Sequence, residues 1–263
     1  MKKLLVRGGR VVDPSQDLDA VADVLIEDGE VTRVGEGIRP GRYAEIVEAE
    51  SLVVAPGLID MHVHLREPGQ EYKETIESGT RAAAAGGFTA VAPMPNTDPP
   101  NDNRPVTEHM IKEAARHGYA RVWPIGAVSV AQRGEHLAEI GDMVDAGAVA
   151  VTDDGHPVHD TELMRRVLEY SRHYDIAVIQ HAEDQDLSGG GVMHEGEWST
   201  KLGLPGWPAA AEEVVVARDL VLLAFWENGF RVITNSVRPI VAPADLRGVK
   251  VRTPKDPARV RLF

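Results

Sequence analysis

The sequence predicts an α/β protein: an incomplete (β/α) barrel of TIM type preceded by a small N-terminal antiparallel β domain. Three observations carry this. From Pro56 onward, apolar runs of strand length alternate with helical stretches, the pattern of a parallel sheet with crossover helices. Residues 1–56 instead alternate in the strand period and are punctuated by turns. Only five strand–helix units are visible, about 170 residues, whereas a complete eight-fold barrel typically needs about 250.

In the first part, Leu4-Leu5-Val6 and Arg10-Val11-Val12 read as strands on either side of a turn at Gly8-Gly9. Asp23–Glu27 leads through Asp28-Gly29 into Glu30–Val34, a hairpin, because Asp-Gly tolerates the positive φ that a tight turn demands. Glu45–Val47 and Leu52–Val54 add a further pair. In the second part, strands are predicted at Gly57–His64, Phe88–Met94, Val122–Val128, Ala148–Thr152 and Ala177–His181. The helices between and after them are predicted at Glu74–Ala85, Thr107–His117, Glu135–Ala146, Thr161–His173 and Ala209–Ala224. From Phe225 the texture changes: 39 residues carry eight Lys/Arg and three Asp/Glu, reversing the sign of the rest. A strand at Phe230–Thr234, a helix start at Pro243–Gly248 and a short strand at Val249–Arg252 are expected there. The chain therefore divides into 1–56, 57–224 and 225–263.

Composition narrows the function classes. Hydrophobic residues make up 43% and charged residues 26%, ordinary values for a globular protein. With 41 Asp+Glu against 28 Lys+Arg the net charge is -13, which repels phosphate backbones, so no nucleic-acid partner is expected. The absence of cysteine excludes disulfides, a thiolate nucleophile and a cysteine zinc site, so any metal must sit on histidine and carboxylate. The apolar run at the N-terminus is interrupted too soon for an export signal. The longest apolar stretch, Val214–Trp226, is broken by Arg218 and Asp219 and too short for a bilayer. A cytoplasmic location, a small-molecule substrate and no membrane partner are the expectation, with a homo-oligomer left open.

The most informative stretch is Asp60-Met61-His62-Val63-His64-Leu65-Arg66-Glu67-Pro68-Gly69. Residues two apart on a strand point to the same side, so His62 and His64 aim both imidazoles at one place. That place is the C-terminal end of a strand, where barrel enzymes keep their active sites. Two later strand ends also carry ligand-type residues, Asp153-Asp154-Gly155-His156 and His181-Ala182-Glu183. Asp-Gly also favours a turn, and a turn serves both readings. Arg66 and Asn96 close the first and second strands; a guanidinium fork and an amide together suit a small carboxylated amide. The same two residues would also fit a surface arginine paired with Glu67 and an asparagine turn before Pro99-Pro100. His156, His159, His173 and His194 lack comparable placement and read as solvated or structural.

These residues resemble a known family. Residues 1–224 are similar to bacterial class I dihydroorotase of the amidohydrolase superfamily, on the stretch Asp60–Gly69, Lys73-Glu74, Ser78–Thr89, Met94-Pro95-Asn96-Thr97, Asp153-Asp154-Gly155, His181–Asp184 and Gly206-Trp207-Pro208-Ala209. The resemblance implies a hydrolase interconverting dihydroorotate and N-carbamoyl-L-aspartate in pyrimidine biosynthesis. It implies a two-zinc site in the complete family fold, with His62 and His64 on one ion, His181 on a second and Asp154 between them. It implies Arg66 and Asn96 on the substrate carboxylate. Allantoinases and hydantoinases, the alternative within the superfamily, share the first histidine pair but usually bridge their metals with a carbamylated lysine, where this chain has Asp153-Asp154.

The family pattern also calls for a further histidine ligand and a strand-end aspartate that shuttles the proton. Neither is identifiable here; Thr234 and Asn235 fall where the histidine strand is due. The catalytic residue is therefore unassigned, the second metal site is incomplete, and the chain is expected to be truncated and weakly active or inactive. Residues 225–263 instead resemble a fragment of the periplasmic solute-binding proteins of tripartite carboxylate transporters, through Trp226–Arg231, Thr234–Ile240 and Asp245–Pro254. That suggests a chimera joined near Ala224, and a carboxylate-binding fragment as the other alternative function.

Overall fold

A computed structural model of the chain describes residues 3–42 and 44–226, with side chains to 220. The chain divides into two compact units, Met1–Val215 and Val216–Phe263. The elements expected at Phe230–Thr234, Pro243–Gly248 and Val249–Arg252 lie outside the described residues, as does all but the start of the segment likened to a solute-binding protein.

The first unit opens with a five-stranded sheet built from β1 (Lys3–Asp13), β2 (Leu18–Glu27), β3 (Glu30–Gly35), β4 (Glu45–Glu48) and β5 (Val53–Val54). The hairpin at Asp28-Gly29 forms as expected: φ is 52° and 91°, and Glu27 lies opposite Glu30. The expected turn at Gly8-Gly9 does not form. Residues 3–13 are one strand, and the extra residue is absorbed as a bulge between Val6 and Gly9, with Gly8 at φ 70°. Gly9 has a packing reason to lack a side chain, since a Cβ would sit 2.5 Å from Val54 Cγ2. Nor is the domain purely antiparallel. β1 pairs antiparallel with β2 but parallel with both β4 and β5, because the chain crosses over after β3 instead of turning back. Its interior is small: Leu5, Leu25 and Ile38 form one cluster and Val11, Ala22 and Val24 another.

Next comes β6 (Leu58–Val63), α1 (Ile76–Ala85), β7 (Phe88–Pro93), α2 (Arg104–His117), β8 (Arg121–Val122), β9 (Ile125–Gly126), α3 (Ile140–Ala146), β10 (Ala150–Val151), α4 (Thr161–His173) and β11 (Ala177–Val178). All pairings here are parallel, in the orders β6-β7-β8 and β9-β10-β11. The single strand expected at Val122–Val128 is thus two. Pro124 has no N–H to give a ladder, and the break divides the bonding: Trp123 N donates to Val91 O at 2.9 Å on one side, while Pro124 O accepts from Val149 N at 3.0 Å on the other. Among the described residues β6 pairs only with β7 and β11 only with β10, so the sheet is open at both ends.

Both faces of the central strands are covered, which explains their unbroken apolar runs. Val91 packs with Leu65, Ile76, Val106 and Met110 on the helix side. Ala92 and Met94, of opposite parity to Val91, pack with Ile125 and Ala150 on the other face. Burying a side chain such as Ile76 or Met110, both 0% exposed, contributes roughly 1.5–3 kcal/mol. The helices begin where caps allow. Thr75 and Ser78 form a capping box at α1, and Asn103 Oδ1 caps α2, which begins at Arg104, three residues before its expected start. Helix α3 is shorter than the expected 135–146. Residues 136–138 are drawn back onto the end of β9, with Ala138 N donating to Val128 O at 3.0 Å and His136 O accepting from Val130 N at 2.9 Å.

After β11 lie four short elements that the periodicity does not announce: α5 (Gln185–Ser188), β12 (Met193–His194), α6 (Glu197–Leu202) and β13 (Gly206–Trp207), with β12 and β13 paired in parallel. The final helix α7 (Ala210–Trp226) follows. No helix of the described residues is long and apolar enough to cross a membrane.

The loops leaving β6 and β7 are held together by backbone. Asp98 N donates to Pro68 O at 2.9 Å, and Gly69, at φ 91°, lies so close that a Cβ would stand 1.8 Å from Asp98 O. Because the obstacle is backbone and the φ is left-handed, Gly69→Ala is expected to lower stability by more than about 1 kcal/mol. Urea denaturation of the two proteins checks this, and equal midpoints would contradict it.

Candidate metal centre

Two strand ends meet at one point. His62 is the penultimate residue of β6, His64 follows its last residue, and Asp154 lies three residues beyond β10. The period-2 argument holds: the two imidazole rings sit 5.3 Å apart at an interplanar angle of 75°, edge to face. Asp154 reaches both. Its Oδ1 is 3.3 Å from His62 Nε2 and its Oδ2 is 3.7 Å from His64 Nε2. One ligand atom from each residue lies within 4.8 Å of the others. Nitrogens and oxygens bound to one zinc at about 2.0–2.2 Å stand roughly 3.3–3.5 Å apart in a tetrahedron, so the spacing suits a shared divalent ion. The donor types suit it too: two imidazoles and a carboxylate, with no sulfur. His62 is largely exposed and His64 about a third exposed, while the Asp154 side chain is 14% exposed.

Asn96, expected on a substrate carboxylate, has protein partners. Its Nδ2 donates to Asp154 Oδ2 at 3.0 Å, and its Oδ1 is 2.9 Å from His64 Nδ1. Arg66 sits at φ 61°, a left-handed turn that ends the strand, and its side chain is half-buried with no hydrogen bond or ion pair among the described residues. It is not paired with Glu67, whose Oε2 accepts from Ile76 N at 2.7 Å and so anchors the start of α1. Asn96 is likewise more than a turn asparagine. His181 does not join the three-residue group. Its Nε2 is 3.1 Å from Glu183 Oε2, and Glu183 Oε1 accepts from Ser188 Oγ at 2.7 Å.

The turn at Asp153-Asp154-Gly155 forms: His156 N donates to Asp153 O at 2.6 Å, and Gly155 has φ 77°. What the residue pattern does not reveal is the division of labour between the two aspartates. Asp153 points inward, 2% exposed, and its Oδ1 accepts from Val128 N at 2.8 Å and Ser129 N at 3.1 Å while Oδ2 accepts from the Ser129 hydroxyl. Burial pushes its carboxyl above the usual carboxylate range, against the pull of the Ser129 hydroxyl and amide, the Val128 amide and nearby His156. Asp153 thereby ties the end of β10 to the end of β9 and fixes the backbone from which Asp154 projects. Buried Asn101 does similar work one strand earlier, with Nδ2 donating to Ile125 O at 2.9 Å and Oδ1 accepting from Thr107 at 2.7 Å. Neither Ser129 nor Asn101 stands in a pattern that could have pointed to it; only the apolar strand in front of Asp153 hinted at an inward side chain.

Comparison with known proteins places this geometry in a class. Solved structures with the same fold include the L-hydantoinase (dihydropyrimidinase) of Arthrobacter aurescens, with a TM-score of 0.70 at 22% identity over 85% of this chain and 51% of that one. A D-hydantoinase follows with a TM-score of 0.64 at 20% identity over 85% of this chain and 50% of that one. At that identity the likeness shows the fold alone. The dihydro-orotase-like family profile matches residues 51–236, most of the chain, and the chain belongs to that family. It is 52% identical over 251 residues to a dihydroorotase of Geobacter metallireducens and 50% identical over 251 residues to one of Acetivibrio thermocellus. Each alignment takes in 94% of this chain and 59% of the relative, so the chain spans under two thirds of the length of these relatives. Family similarity also runs past Ala224, to residue 236.

The two aspartates make a stability test. Asp153→Ala leaves two amides and a hydroxyl without their buried acceptor and is expected to cost at least about 1–3 kcal/mol. Asp153→Asn keeps Oδ1 for both amides and removes a charge that burial disfavours, so it should cost clearly less. Chemical denaturation at neutral pH checks the order, and a larger loss for Asn than for Ala would contradict it.

Proposed function

We propose that this chain carries the first half of a dihydroorotase site and acts as a metal-dependent hydrolase of cyclic amides, with dihydroorotate and N-carbamoyl-L-aspartate as the pair interconverted. The single observation that supports it most is the convergence of His62, His64 and Asp154, a three-ligand set at the C-terminal ends of parallel strands. The family membership and the dihydroorotases at about half identity support the substrate class. Zinc is the ion proposed, on His62, His64 and Asp154, with His181 assigned to a second ion that the described residues supply less fully. When bound, such an ion supplies Lewis-acid polarisation of an amide carbonyl and of water.

The chain's own residues do the rest. His62 and His64 would present ring nitrogens to the ion and Asp154 a carboxylate oxygen. Arg66, the guanidinium with no described partner beside this site, suits the substrate carboxylate as a planar two-toothed donor. Asn96 keeps a second Nδ2 hydrogen that the carboxylate can also take. The general acid–base group is not assigned among the described residues. A cytoplasmic setting accords with such a substrate. The reading of residues 225–263 as part of a carboxylate-binding protein falls almost wholly outside the described residues, and the family match reaches residue 236.

Titration with Co²⁺, whose visible spectrum reports nitrogen and oxygen ligands, tests the site. The 263-residue chain is expected to bind the ion, and His62→Ala, His64→Ala and Asp154→Ala each to lose at least tenfold in affinity. Turnover of dihydroorotate with added Zn²⁺ is expected to be weak, since the described ligand groups are three and two of them face solvent. Binding unaffected by all three substitutions would overturn the assignment.

A further inference from the structure

Asn96 is placed to govern the metal ligands themselves. It follows Met94 and Pro95 at the end of β7, between Met94 at 1% exposure and Thr97 at 7%. Its backbone is fixed on both sides: Pro95 O accepts from Thr97 N and from Asn101 N, each at 2.9 Å, and Asn96 O accepts from Gln70 Nε2 at 3.4 Å. The side chain therefore starts from a rigid strand end.

Asn96 Nδ2 donates to Asp154 Oδ2 at 3.0 Å. The other amide atom, Oδ1, then faces His64 Nδ1 at 2.9 Å, and because Oδ1 only accepts, Nδ1 must carry the hydrogen. With a ring hydrogen held on Nδ1, Nε2, the atom that faces Asp154, is the nitrogen left to ligate an ion. One amide thus sets the tautomer of one ligand and holds the oxygen of another.

We propose that Asn96 is a positioning residue for the metal site, keeping His64 in the Nδ1–H form with Nε2 free to ligate and orienting Asp154 through Oδ2. The proposal rests on the metal-site reading above and adds to it. It also assigns Asn96 a second role beside the substrate carboxylate, compatible because only one of the two Nδ2 hydrogens is engaged.

The test uses the full 263-residue chain and two readouts. Nitrogen-15 chemical shifts of the His64 ring in the metal-free protein report its tautomer without any ion, and calorimetry with Co²⁺ alone reports affinity. The unsubstituted protein should show Nδ1–H. Asn96→Leu should shift His64 to a mixture of tautomers and weaken Co²⁺ binding by about 10–100-fold, the usual cost of removing a partner behind a ligating histidine. Asn96→Asp, which still offers Nδ1 an acceptor but no longer donates to Asp154, should keep the hydrogen on Nδ1, and unchanged far-UV circular dichroism of both variants shows that the effect is not a general loss of structure. An Nε2–H tautomer in the unsubstituted protein, or an unchanged tautomer and affinity in Asn96→Leu, would overturn the proposal while leaving the metal site standing. An unsubstituted chain that binds no Co²⁺ would overturn the metal-site reading, and the proposal with it.

Discussion

His62 and His64 leave one strand and Asp154 another, and the two strands are not neighbours: β6 stands in the sheet β6-β7-β8 and β10 in the sheet β9-β10-β11, joined at Trp123-Pro124. For the carboxylate to stand between the two imidazoles, every intervening strand must run parallel and end at the same level. That constraint organises the rest of the molecule. It explains why crossover helices α1 to α4 cover the outside, why the central strands are apolar on both faces, and why polar bonds between successive loops concentrate at one end of the sheet. Asp98 joins the loop after β6, Asn101 joins β9, and Asp153 joins β10 back to β9. Each tie passes the position of one strand end to the next.

Adjacent aspartates with opposite duties illustrate how that is done. Asp153 is spent on backbone amides and a hydroxyl indoors, and Asp154 is left to face the imidazoles. A carboxylate on a mobile turn would sample many positions; one whose neighbour is clamped samples few. The same logic places Asn96 behind His64. Ligands preorganised by such bonds lose less freedom when an ion arrives, which raises affinity without any additional ligand. Conversely, His62 is the most exposed of the three and stands on β6, whose outer edge pairs with nothing among the described residues. Leu58, Ile59 and Met61 on that strand are each more than half exposed.

Much of this was legible in the residues. The alternation of strand and helix, the Asp28-Gly29 hairpin and the His-x-His convergence each follow from short-range periodicity, and each is present. The parts that were not legible depend on contacts distant in sequence. Gly8-Gly9 reads as a turn locally, but pairing with β2 on one side and β5 on the other keeps the strand straight through a bulge. Pro124 splits a strand and divides the strand pairing into two sheets. Residues 136–138 have helical composition yet are claimed by the end of β9. At the site, His62, His64 and Asp154 were found together, whereas the link from Asn96 to His64 and Asp154 could not be read from spacing, since it depends on how three loops fold over one another. His181, expected on a second ion, lies outside the three-residue group, with Glu183 Oε2 3.1 Å from its Nε2.

Anomalous X-ray diffraction at the zinc edge, from crystals of the chain grown with Zn²⁺, tests the central claim most directly. The account predicts a peak within about 2.0–2.2 Å of His62 Nε2, His64 Nε2 and an Asp154 oxygen, with Asn96 still bonded to His64 Nδ1. Zinc found only elsewhere, or the two imidazoles turned to separate regions, would contradict it.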